Sequence, residues 1–137
     1  MFRFFKDIYF TAFTIFFRAA SSTWTPGINA GKGVAGVALI ESAFLLAIAS
    51  WIDVLVGTKS LLDIPKWATI VAFFALCFAN RYPLVGRGHG ITFEREFTNF
   101  TKSRKVLLLA SCVVIMLTAI AFFIYSASFH RKLPNHS

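Results

Sequence analysis

Charge is scarce in this chain. Only 15% of its 137 residues are Asp, Glu, Lys or Arg, against roughly 25% in ordinary soluble domains. Acids are rarer still, six against fourteen Lys and Arg. Cysteine is limited to Cys77 and Cys112, each inside an apolar run, which excludes a disulfide scaffold and a zinc-ligand pattern. The three histidines, His89, His130 and His136, are scattered, so no metal set is expected. No paired acid and base stand at catalytic spacing, and no nucleophile motif accompanies the serines and threonines. The expectation is a protein without a cofactor and not an enzyme.

What the chain has instead is apolar surface. It is 57% hydrophobic, contains 17 phenylalanines and has a mean hydropathy of +0.68. A soluble protein of this size cannot hide so much apolar surface and stay dispersed, so the excess must face lipid. The net charge of +8 fits that reading, because most Lys and Arg flank hydrophobic runs. No separate basic module for nucleic acid stands out.

The expected fold class is an all-α membrane protein forming one integral membrane domain over 1–137. Its parts are three transmembrane helices, an N-terminal interfacial amphipathic helix, and a cytoplasmic amphipathic helix leading into the third span. In residues 1–20, Arg3, Asp7, Thr11, Thr14 and Arg18 recur at helical spacing and form one narrow polar stripe among Phe, Ile and Tyr. Such a helix can lie in the membrane interface with its charges up, or pack on other helices of the chain; the two are compatible. Arg18 occupies a position where a signal-peptide cleavage site would need a small neutral residue. Residues 21–33, with Pro26 and three glycines, read as a loop in which Trp24 suits the interface.

The first span is 34–57, about 36 Å of helix for a hydrocarbon core of roughly 30 Å. The second, 64–80, is weaker; Asp63 is its expected N-cap and Pro65 is tolerated in its first turn. The third is 106–129. If all three cross, ten basic residues share one side: Arg3, Lys6, Arg18, Lys32, Arg81, Arg87, Arg95, Lys102, Arg104 and Lys105. Only Lys59, Lys66, Arg131 and Lys132 lie opposite. Lys and Arg collect in the cytoplasm, so the N-terminus is expected inside and the C-terminus outside.

Between the second and third spans, in 81–105, "GRGHG" carries alternating glycines. It matches neither a Walker loop nor a dinucleotide loop, which require a strand before them. A turn is expected there, with Pro83 and the glycines stopping the second helix. Phe93, Phe97 and Phe100 then fall on one helical face, which Leu107 continues, and Thr92 is the expected cap. This face is a candidate docking surface. Lys102, Arg104 and Lys105, with Arg3, Lys6 and Arg18, are the candidate membrane-surface residues, since anionic headgroups attract Lys and Arg by ~1 kcal/mol each.

Glu41 is the candidate partner-binding residue inside the bilayer. An intramembrane carboxylate costs a few kcal/mol and is a functional candidate by default. It is expected to be protonated, paired with a basic residue of the chain or with a helix of another protein, or hydrogen-bonded within the chain to Ser111 or Thr118 of the third span. Asp53, near the outer end of the same helix, is expected to be solvated. Gly36, Ala43, Ala47 and Ser50 form a small-residue stripe suited to seating another helix of the chain.

The succession of an aromatic-basic N-terminal helix, a span, a short second span, the segment "FEREFTNFTKSRK" and a last span resembles small, uncharacterised bacterial three-span inner-membrane proteins. More distantly it resembles the polytopic immunity proteins that protect producers from bacteriocins and membrane toxins. That likeness is architectural and transfers no functional residue. It implies an inner-membrane protein that contacts lipid and binds a membrane-inserted toxin, or another membrane protein, laterally. The alternative is an accessory subunit of a larger inner-membrane assembly that docks through its two amphipathic helices.

Overall fold

The computed structural model describes residues 1–19, 26–57 and 65–132. Trp24, Lys59, Asp63, Ile64 and His136, to which roles or places are assigned above, lie outside the described residues. Among the described residues five α-helices follow one another: α1 (Phe2–Ala19), α2 (Pro26–Val56), α3 (Lys66–Arg81), α4 (His89–Phe97) and α5 (Lys102–His130). A π-helical turn, Tyr82–Gly86, extends α3. No strand occurs among the described residues. Three helical stretches among the described residues are long and apolar enough to cross a membrane: Ile28–Val56, Lys66–Gly86 and Lys102–Phe129.

α2 is the hub, packing against α1, α3 and α5. The stretch expected to be a loop is helical from Pro26. Proline is preorganised for a first helical turn, and the glycines that follow have a packing reason. A Cβ on Gly33 would stand 2.6 Å from the Phe13 ring, and one on Gly36 would stand 2.1 Å from the Phe16 ring. Both glycines therefore let α1 approach α2 closely, as small residues do between membrane helices. The small-residue stripe is buried as expected at Ala47 and Ser50. It runs on to Asp53, which is fully buried rather than solvated, since it repeats the i, i+3 spacing of that packed face.

Proline 83 does not end the second span. It lacks the N–H that the Ala79 carbonyl needs, and its ring crowds that carbonyl. The chain widens instead of breaking: the Arg87 N–H reaches the Tyr82 carbonyl at 2.8 Å, five residues back, which is the bond of a π-turn. Leu84 within this turn is fully buried. The next glycines are structural. Gly88 has φ of 68°, the left-handed region that favours glycine, and α4 begins directly after it, three residues before the expected Thr92 cap. A Cβ on Gly90 would meet the Leu84 carbonyl oxygen at 2.9 Å and the Phe13 ring at 3.1 Å.

The amphipathic helix of 89–97 does not run on into the third span. The chain turns at 98–101, and Thr101 caps α5 by accepting from the Arg104 N–H at 3.4 Å. This break resets the helical phase. Leu108, not the exposed Leu107, therefore joins the phenylalanine cluster.

Candidate functional site

The polar stripe of α1 faces inward along much of its length. Thr11 and Thr14 are buried, and each hydroxyl donates to the carbonyl four residues back, Asp7 at 2.7 Å and Phe10 at 3.0 Å. The charges at either end meet charges from distant sequence. The Arg104 guanidinium donates to the Asp7 carboxylate at 2.9 Å. Arg18 donates to the Glu94 carboxylate at 2.9 Å and to the Thr98 hydroxyl at 2.8 Å. α1 therefore packs on the chain's own helices, which is compatible with a place in the membrane interface. Arg3 and Lys6 remain exposed.

α4 lies over α1 by burying the face that was expected to dock a partner. Phe93 and Phe97 are buried, Phe100 is half-buried, and the Phe93 ring stands 5.4 Å from that of Phe10. Phe93, Phe97 and Phe100 also pack on one another with centroids 5.5 to 6.1 Å apart, a favourable range for aromatic pairs. The candidate docking face is thus occupied by α1. The basic residues beside it are partly engaged too. Arg104 stacks 3.9 Å over Phe100, and the Lys105 ammonium donates to the Thr98 carbonyl at 2.7 Å. Lys102 is exposed.

Glu41 has an internal partner, and it comes from neither Ser111 nor Thr118. The Asn80 amide, near the end of α3, donates to the Glu41 carboxylate and to the Leu76 carbonyl at 3.0 Å. The Tyr9 hydroxyl of α1 in turn donates to the Asn80 amide oxygen. Thr118 bonds to its own helix, its hydroxyl donating to the Val114 carbonyl at 2.7 Å. A chain of two interhelical hydrogen bonds therefore joins α1, α3 and α2 beside a small apolar cavity of 190 Å³ lined in part by Phe44, Cys112 and Met116. Burial, and secondarily the Glu41 carboxylate, push the Tyr9 phenol up to about 12, so at neutral pH it is a donor. The amide is what makes this arrangement affordable in lipid: it donates to one side and accepts from the other, so both otherwise costly polar groups are satisfied.

Two open clefts flank α3, whose packing among the transmembrane helices is chiefly with α2. The larger, 460 Å³, lies between α2 and α3 and is lined by Leu39, Leu45, Leu46, Ala49, Ile70 and Phe73, with Ser42 and Thr69 as its polar members. The second, 350 Å³, lies between the first turns of α2 and the last turns of α3, with Arg81 in its wall. At the far end of the bundle, Trp51 stacks on Phe122 and packs at a tilt against Tyr125 and Phe129, with centroids 5.6 to 6.0 Å apart. No group of three or more His, Cys, Asp or Glu side chains that could hold a metal exists among the described residues. No family model matches the chain, and neither does any curated protein or solved structure.

Proposed function

We propose that this is a non-enzymatic, multi-pass protein of a bacterial inner membrane, N-terminus cytoplasmic, that acts by lateral helix–helix binding within the bilayer. The best-fitting partner is a membrane-inserted toxin helix, which makes the protein an immunity factor. The observation that carries the reading is the open groove between α2 and α3, whose lining is almost wholly apolar. Small residues there, Ser42, Ala49 and Ala72, suit close approach of another helix.

The structure changes which residues should mediate binding. Glu41 is held by Asn80, and the phenylalanine face of α4 is covered by α1. Both are part of the protein's own packing, and the lateral groove takes the role first given to Glu41. The same facts weigh against an accessory subunit docking through its amphipathic helices. The cytoplasmic placement of the N-terminus draws on the ten basic residues that three crossings would put on one side, against four on the other.

The test is purification of the tagged protein from its native membranes in mild detergent, beside Ala49→Trp and Glu41→Gln. Retention of one toxin-like membrane protein by the wild type and by Glu41→Gln, with loss in Ala49→Trp, is the expected result. Retention of a multi-subunit assembly would make the protein an accessory subunit. Absence of any partner from toxin-producing cells would overturn the reading.

A further inference from the structure

The cleft beside Arg81 differs from the groove described above in chemistry. Its wall combines Val34 of α2 with Phe74, Phe78 and Val85 of the second span, and its volume is 350 Å³. Arg81 is the one charged residue lining it. The side chain is exposed and makes no ion pair with a described residue. Three of the acids are placed elsewhere: Asp7 meets Arg104, Glu94 meets Arg18, and Glu41 meets Asn80. A guanidinium at the rim of an apolar cleft, on a membrane helix, presents fork-shaped donors to a phosphate and apolar walls to a hydrocarbon chain.

We propose that this cleft holds one anionic phospholipid, its phosphate on Arg81 and its acyl chain against Phe74, Phe78 and Val34. A zwitterionic lipid fits the walls equally well but gains less from the rim, because its own ammonium offsets the phosphate. The site would place a bound lipid against α2 and α3 together, the pair of helices that also forms the partner groove. It does not depend on the partner reading and is tested without any protein partner.

Gly31 supplies a clean way to close the cleft. Gly31 belongs to the cleft lining and a Cβ added there meets nothing within 4 Å, so Gly31→Leu adds bulk at the cleft with no clash at its first carbon. The full-length protein in detergent is titrated with phosphatidylglycerol or phosphatidylcholine, and retained lipid is counted by native mass spectrometry. The wild type should retain one phosphatidylglycerol in preference to phosphatidylcholine. Arg81→Gln should weaken that retention about five-fold, the effect of one basic residue near an anionic headgroup, and Gly31→Leu should abolish it. Arg95→Gln removes the same charge from an exposed position on α4 outside the cleft and should leave retention intact. Equal losses in Arg81→Gln and Arg95→Gln would reduce the effect to general surface charge and overturn the site. So would full retention in Gly31→Leu, or no preference for the anionic lipid.

Discussion

Replacing Asn80 by leucine should destabilise the protein more than replacing either group it bonds to. Asn80 donates to Glu41 of α2 and accepts from Tyr9 of α1, so its loss strands a carboxylate and a phenol at once. Interhelical hydrogen bonds in membrane proteins average ~0.6 kcal/mol and reach ~1.7; two of them give about 1–3 kcal/mol. An unpaired acid near the middle of a membrane helix costs at most ~2.5–3.5 kcal/mol on insertion scales. Because Glu41 is partly accessible, only a fraction of that applies, and about 2–3 kcal/mol is expected for Asn80→Leu. Glu41→Leu removes the costly group together with its bond and should fall within ~1 kcal/mol of wild type. The double variant should then recover part of the Asn80→Leu loss, with a coupling energy of about 1–2 kcal/mol. Reversible unfolding in mixed detergent micelles measures all three. Additivity within ~0.5 kcal/mol would show that Asn80 and Glu41 do not interact and would refute the network.

Three further outcomes follow from the same geometry. Stability should fall as pH rises from 10 to about 12. The Tyr9 phenol holds its proton more tightly in the folded protein than in the unfolded chain, so its contribution is complete below pH 10 and is lost as the folded protein deprotonates. Tyr9→Phe should flatten that part of the unfolding-midpoint profile; an unchanged slope would detach Tyr9 from it. Gly36→Ala places a Cβ into the Phe16 ring and should cost about 1–3 kcal/mol, whereas Gly31→Ala, in open space, should stabilise by ~0.5–1 kcal/mol. Thermal denaturation in detergent separates the two, and equal effects would contradict the α1–α2 packing. Trp51→Leu should loosen the far end of the bundle by about 1 kcal/mol through loss of ring stacking, with no effect on the Tyr9 profile.

The spans were readable because lipid imposes a simple requirement: about twenty apolar residues satisfied by their own helix. Boundaries were harder wherever packing overrode a local signal. Glycines 31, 33 and 36 looked like loop or stripe residues until Phe13 and Phe16 were seen against two of them. Pro83 read as a stop, yet a π-turn absorbs a proline without ending the element. The stripe of α1 was visible as a stripe, but its direction was not. A row of Asp, Thr and Arg serves water or complementary charge equally well, and its partners, Arg104 and Glu94, lie far away in sequence. Asn80 was missed as a site residue. It stands at the edge of a short apolar run, where an amide reads as a helix end. The available signal was that an intramembrane acid needs a donor, and Asn80 is a donor on a neighbouring span.

The proposed lateral α2–α3 groove and the covered face of α4 predict different contacts with a partner. A photo-crosslinking residue placed at Ile70, exposed and in the groove wall, separates them in native membranes beside the same residue at Arg95 on α4. Binding in the groove should give a discrete crosslink to another membrane protein from position 70 and none from position 95. A protein crosslink from position 95 alone would place the contact on α4 and contradict it.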